Sequence, residues 1–202
     1  MEECGEKEHA ALKEIISPRE QELSAFYPGA GNDLAGCIDC TGASKVIALE
    51  KKSFESIWPG LKKELERAGA HFVMRHWNEV RFEYNGKPRA AVFHEGNAEE
   101  PGEWPKEVLN GFDVYFEKRM PEIIPREAYA RAYSLVKLGG FVLQDTPLLG
   151  KLPPEKAGFE KIETGIRKKF GLSQAGPCLY KKIKKEKNLA AVMQADKAAV
   201  YG

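Results

Sequence analysis

Apolar positions along this chain switch between a helical and a strand period, and the switches mark out its elements. Residues 6–16 are predicted as a helix, with Ala11, Leu12, Ile15 and Ile16 on one side. Ser17-Pro18-Arg19-Glu20 has the form of a capping box with proline at the first helical position, so a short second helix is expected there. Leu23, Ala25 and Phe26 read as the first strand, residues 28–33 as a turn, and 33–42 as a helix. Residues 45–50 read as a strand, and its continuous run Val46-Ile47-Ala48-Leu49 is typical of a parallel strand covered on both faces. In 53–68, Phe54, Ile57, Trp58, Leu61 and Leu65 share a helical face. Pro59 is expected to break or restart that helix, and Gly69 to end it.

The period then changes. Val80 to Tyr84 alternates with period two, Asn85-Gly86 is a strong hairpin turn, and Arg89 to His94 returns, so an antiparallel hairpin is expected over 80–94. Pro88 implies an edge position or a longer loop. A polar loop over 96–101 and a short helix from Trp104 to Leu109 come next. Phe112 to Phe116 is a buried strand ending in Glu117-Lys118-Arg119. Residues 125–138 read as an amphipathic helix carrying Ala128, Tyr129, Ala132, Leu135, Val136 and Leu138, with Gly139-Gly140 as its stop. Phe141 to Leu143 is a strand, and residues 146–158 are irregular. Phe159 to Glu163 and Pro177 to Ile183 are two final strands joined by a basic loop with Arg167, Lys168 and Lys169. Leu189 to Val200 reads as an Ala-rich terminal helix. Without internal repeat or linker, 1–202 is expected to be one domain, with 1–22 as N-terminal helices and 184–202 as a C-terminal extension.

The most informative chemistry lies in Tyr27-Pro28-Gly29-Ala30-Gly31-Asn32-Asp33. Two glycines one residue apart permit a tight turn and leave bare backbone for a ligand, and Asn32 and Asp33 are candidate caps for the next helix. The following strand ends in Glu50. A strand, a glycine turn, a helix and a second strand tipped by a carboxylate describe a nucleoside-binding βαβ unit, the carboxylate receiving ribose hydroxyls. A dinucleotide fingerprint wants a third glycine where this chain has Leu34, and Asp33 would repel a pyrophosphate at the helix N-terminus. S-adenosylmethionine (SAM) has no phosphate and carries two cationic groups, so the residues lean toward it.

Composition narrows the classes. The chain has 202 residues, 43% hydrophobic and 30% charged, which is globular rather than disordered. A formal net charge of +1 exerts no global pull on nucleic acid or anionic membrane. The local run of Arg167, Lys168, Lys169 and the lysines of 181–187 keeps nucleic-acid binding open and is read as a solvated face. No apolar run approaches the ~20 residues of a membrane span, and the acidic N-terminus has no signal-peptide core, so a cytoplasmic location is expected. Cys37 and Cys40 have C-x-x-C spacing, with no second pair, and His9, His71, His76 and His94 are scattered. These are read as packed residues, not as a metal or redox centre.

The order of these elements resembles the class I, Rossmann-like, SAM-dependent methyltransferases over roughly residues 23–183. Tyr27-Pro28-Gly29-Ala30-Gly31 stands where that family has Asp-Leu-Gly-x-Gly, and Glu50 at its acidic second strand end. Gly96-Asn97-Ala98 is similar to the Gly-Asp-Ala of its adenine loop, and Gly111 to Val114 to the start of its fourth strand. Val136-Lys137-Leu138-Gly139-Gly140-Phe141-Val142-Leu143 is similar to its Leu-Lys-Pro-Gly-Gly helix end and fifth strand. Ala157-Gly158-Phe159 and Cys178-Leu179-Tyr180 resemble its closing antiparallel pair. Tyr27, Asp33 and Asn97 depart from the pattern, replacing an acidic residue, the third glycine and the adenine-loop aspartate. The strand ending at Glu117 lacks the Asn/Asp-Pro-Pro-Tyr/Phe of enzymes that methylate nucleobase amines.

The resemblance implies an α/β fold of three layers, with a seven-stranded, mostly parallel sheet, an antiparallel last strand and an extra hairpin strand. It implies SAM as cofactor, held by Tyr27, Gly29, Ala30, Gly31, Asn32, Asp33, Glu50, Lys51, Asn97, Ala98 and Glu117, with Lys118 and Arg119 on the substrate side. Methyl transfer asks for alignment more than for any fixed catalytic residue, so none is assigned. Two functions are carried forward. One is a methyltransferase acting on a small molecule or protein. The other is a catalytically inactive binding or structural protein on the same fold.

Overall fold

The computed structural model describes residues 6–17, 22–118, 125–144, 152–164, 168–170, 173–175 and 178–184. Helix α1 (Glu6–Ile16) has the predicted bounds and buries Leu12 and Ile16. Strand β1 (Ser24–Pro28), helix α2 (Leu34–Thr41) and strand β2 (Lys45–Glu50) follow as a βαβ unit. Helix α3 (Phe54–Arg67) runs unbroken through Pro59, contrary to the expected break. Pro59 removes one amide near the start of the helix and sits on its exposed side, where the loss is tolerated while Ile57, Leu61 and Leu65 anchor the other face.

Three antiparallel strands come next: β3 (His71–His76), β4 (Glu79–Tyr84) and β5 (Lys87–Glu95). The hairpin predicted over 80–94 is β4–β5, with Asn85 (φ 54°) and Gly86 (φ 69°) in the left-handed conformation at its turn. Strand β3 was not legible in the sequence. Phe72 is only half-buried and the other five residues are exposed, so no alternation announces it. A short helix α4 (Lys106–Leu109) leads to β6 (Phe112–Glu117), then α5 (Arg126–Leu135) and β7 (Val136–Gln144). The helix predicted over 125–138 therefore stops three residues early. Val136 is already extended and pairs with Phe112, and Leu138 is exposed. The predicted stop, Gly139-Gly140, instead lies inside β7, where a Cβ on Gly140 would collide with the Asp113 carbonyl.

Strand β8 (Phe159–Ile162), the ribbon of β9 (Lys168–Phe170) with β10 (Ser173–Ala175), and β11 (Cys178–Lys182) complete the described chain. The ribbon replaces the expected basic loop, and Arg167 lies outside the described residues, as do Pro18, Arg19, Glu20, Cys4 and the predicted helix at 189–200.

The sheet has nine strands in the order β3-β4-β5-β2-β1-β6-β7-β11-β8, not seven and one extra. Its pairings divide evenly: β5-β2-β1-β6-β7 are parallel, and β3-β4, β4-β5, β7-β11 and β11-β8 are antiparallel. Because β5 is both the returning hairpin arm and the third parallel strand, the added strands are β3 and β4. Side-chain alternation creates two cores. Ala25, Tyr27, Val46 and Ala48 face α1, α2 and α3, while Phe26, Ile47 and Leu49 face α4 and α5. The result is a three-layer α/β sandwich whose parallel strands end at one rim.

Candidate functional site

Glu50 has the parity of Val46 and Ala48, so its side chain leaves the sheet on the side of α2 and α3, where the glycine turn rises from β1. The Gly31 amide donates to Glu50 Oε1 at 2.5 Å. The Glu50 backbone carbonyl accepts from Gly96 N–H at 2.8 Å, and Gly29 N–H donates to the Leu49 carbonyl at 2.9 Å. One strand end therefore holds the glycine turn and the loop after β5 together. Gly29 (φ 66°) and Gly31 (φ 53°) are left-handed, a conformation costly for residues with a Cβ. Nothing lies within 4 Å of a Cβ built on Gly31, so the backbone there is bare.

These three segments surround a cavity of about 500 Å³. Of the residues expected to hold a cofactor, Gly29, Gly31, Asn32, Glu50, Lys51, Asn97 and Ala98 line it. Leu49, Lys52, Ser56, Ile57, Gly60, Gly96 and Glu99 complete the wall and were not among the expected residues. One signal was available. Gly60 is a glycine inside a helix, and a Cβ there would fall 2.7 Å from Asn32 Nδ2. Lys51 Nζ and Glu99 Oε1, 3.3 Å apart, link two sides of the mouth.

Burial pushes the Glu50 carboxyl above its ordinary 4.5, while the Gly31 amide and the nearby Lys52 partly oppose the rise. The group is thus poised between an acceptor for the turn and an acceptor for a ligand. Asn97 is engaged within its own loop: its Oδ1 accepts from Glu99 N–H at 3.1 Å and its Nδ2 donates to Glu100 at 2.9 Å.

The remaining candidates fall elsewhere. Tyr27, Ala30, Asp33 and Lys118 line a second cavity of about 630 Å³, which shares Gly29 and Asn32 with the first. Asp33 occupies the N-cap position of α2 but makes no capping bond, contrary to expectation, and accepts instead from Lys118 Nζ at 2.6 Å. That partner offsets its charge, so the anion repulsion inferred from the sequence is weaker than Asp33 alone would give. Glu117 is only 2% exposed and lines neither cavity. It lies on the α5 side of the sheet and accepts from the hydroxyls of Tyr115 (3.2 Å) and Tyr129 (3.3 Å). Opposite faces explain the split: Lys118, one residue on, returns to the side of Asp33. Arg119 lies outside the described residues.

Cys37 and Cys40 are buried in α2, and burial pushes the Cys37 thiol well up. Burial lowers the pKa of His94, against the pull of Glu107, whose Oε2 is 3.6 Å from Nε2. Among the described residues no group of three His, Cys, Asp or Glu is placed to hold a metal, and no helix is long and apolar enough to cross a membrane.

The chain matches no family model and no curated protein. Solved structures match it at the level of fold. A SAM-dependent O-methyltransferase of Thermotoga maritima is 12% identical with a TM-score of 0.53, covering 93% of this chain and 69% of that one. The N-methyltransferase NodS of Bradyrhizobium japonicum, in complex with S-adenosyl-L-homocysteine (SAH), is 9% identical with a TM-score of 0.53, covering 88% and 87%. An rRNA methylase of Streptococcus thermophilus is 11% identical with a TM-score of 0.50, covering 88% and 95%. The architecture is the Rossmann-like fold of class I methyltransferases. The three neighbours are named for different acceptors, so the fold leaves the acceptor open.

Proposed function

We propose that this chain is a SAM-dependent methyltransferase whose nucleoside site is the cavity between the glycine turn, the end of β2 and the loop after β5. The observation that carries the reading is the Glu50 carboxylate at a parallel strand end, hydrogen-bonded to the bare backbone of Gly31 in the wall of that cavity. The fit to the cofactor is good. The volume is within the range of small-molecule pockets, Leu49, Ile57 and Ala98 offer apolar wall for a purine, and Glu50 offers charged acceptor oxygen for a ribose diol.

When bound, SAM supplies a methyl group already activated by its sulfonium. The chain's own part is to bind and orient. Glu50 receives hydroxyls while Gly31 positions its carboxylate. Asn97 and Ala98 shape the far wall, and Lys51 with Glu99 borders the mouth. The acceptor is a small molecule or a protein, entering at the carboxyl rim beside β1 and β6.

The second reading, a non-catalytic binding protein, draws on Tyr27. It fills the acidic position of the family pattern, is 2% exposed and packs edge-on against Phe116 at 4.7 Å. Calorimetry with SAM and SAH tests the cofactor site, with a micromolar Kd expected, about −8 kcal/mol. No heat and no thermal shift at millimolar ligand overturns the site. Binding without transfer of a labelled methyl group to any offered acceptor favours the second reading.

A further inference from the structure

The second cavity carries charges that the nucleoside site does not use. Asp33 and Lys118 are 85 residues apart in the chain, and their side chains, 39% and 26% exposed, meet at the cavity wall. An ion pair this exposed contributes little to stability. Two further observations show that the carboxylate is held there. Asp33 stands where a helix cap belongs, yet its carboxylate makes no capping bond to the α2 amides. Gly36, one turn into α2, makes room for it: a Cβ at that position would lie 2.5 Å from Asp33 Oδ1.

The two cavities meet at Gly29 and Asn32. A ligand with its nucleoside against Glu50 would pass its arm over the glycine turn toward Asp33 and Lys118. The arm of SAM or SAH ends in an α-amino acid, an ammonium and a carboxylate on one carbon. An aspartate beside a lysine offers the complementary pair of charges. Tyr27, buried against Phe116, offers none.

Building on the methyltransferase reading, we propose that Asp33 and Lys118 form a zwitterion clamp for the amino-acid end of the cofactor. Asp33 takes the ammonium and Lys118 the carboxylate, and each exchanges part of its present ion pair for a ligand charge. Glu64 and Arg67 of α3, already paired with each other at 2.6 Å, border the same cavity and need not move.

The test compares SAH with 5′-methylthioadenosine, which has the same nucleoside but ends in a methyl group. Calorimetry on the full chain and on Asp33→Asn and Lys118→Met reads both affinities. Each substitution is expected to weaken SAH about ten-fold or more, as loss of a hydrogen bond to a charged group does, and to leave methylthioadenosine within two-fold. Equal losses for both ligands, or no loss for SAH, overturn the clamp. If the unsubstituted protein binds methylthioadenosine and not SAH, the clamp falls and the nucleoside site stands. If it binds neither, the cofactor reading itself falls. The two substitutions lie on different elements, so misfolding of one leaves the other to decide.

Discussion

The carboxylate of Glu50 receives the amide of Gly31, 19 residues earlier in the chain, at 2.5 Å, while its backbone carbonyl receives that of Gly96. A strand-end charge expected from the sequence to receive a ligand is already part of the frame that shapes the cavity. Its replacement therefore has two consequences, not one.

Glu50→Gln keeps an acceptor for Gly31 and removes the charge. The hydrogen bond to Gly31 weakens, but the larger cost of burying the charge is removed with it, so stability should stay within about 1 kcal/mol or rise slightly in denaturant unfolding. SAH affinity should fall about ten-fold or more on the calorimeter. A stability loss with unchanged affinity would make Glu50 a purely structural residue.

Acidification should weaken the ligand while it favours the fold at this site. The folded Glu50 carboxyl titrates above 4.5 because it is buried, so between 4.5 and that raised value the native chain holds more protons than the unfolded one. Its contribution to stability is therefore fully present below 4.5 and is lost as pH rises through the raised value. Ligand affinity runs the other way, since the charged form is the better acceptor. Titrating 5′-methylthioadenosine from neutral pH down to 4.5 should show affinity falling, and Glu50→Gln should flatten the profile. A flat profile in the unsubstituted protein would separate the ligand from Glu50.

Gly60→Ala gains helix propensity of roughly 1 kcal/mol, offset by a Cβ placed 2.7 Å from Asn32 Nδ2. The Asn32 amide must swing aside, and Asn32 lines both cavities. Stability is expected to change by less than about 1 kcal/mol, with SAH affinity down several-fold. Unchanged affinity would show that Asn32 only borders the site.

Lys182→Met serves as a control far from the cavity. The buried ammonium donates to the carbonyls of Tyr133 (2.6 Å), Ser134 (3.2 Å) and Val136 (2.7 Å), closing the end of α5. Methionine keeps the stem and removes the donors, so a loss of about 3 kcal/mol is expected in thermal unfolding, with cofactor affinity unchanged. A loss of affinity as large as the loss of stability would tie α5 to the site.

Local signals carried much of this architecture. The period of 6–16, the apolar run 45–50, the Asn85-Gly86 turn and the glycine pair at 29 and 31 each describe conformations set within a few residues, and each stands where the sequence placed it. Features that depend on a distant partner were not legible. Strand β3 is held by β4 rather than by a buried face. The helix expected to run to Leu138 yields at Val136 because Phe112 pairs with it.

The site divides in the same way. Residue order alone determined that a glycine turn, a carboxylate-tipped strand and a Gly-Asn-Ala loop exist, because each is a property of one short segment. Only the tertiary structure decided which of the charged candidates meet. Phe112 and Tyr115 lie in the same core although they are three residues apart, so alternation slips once within β6. That slip turns Glu117 toward the tyrosines of the α5 layer and Lys118 toward Asp33. A side chain's face depends on strand register, and register is set by neighbouring strands far away in the chain.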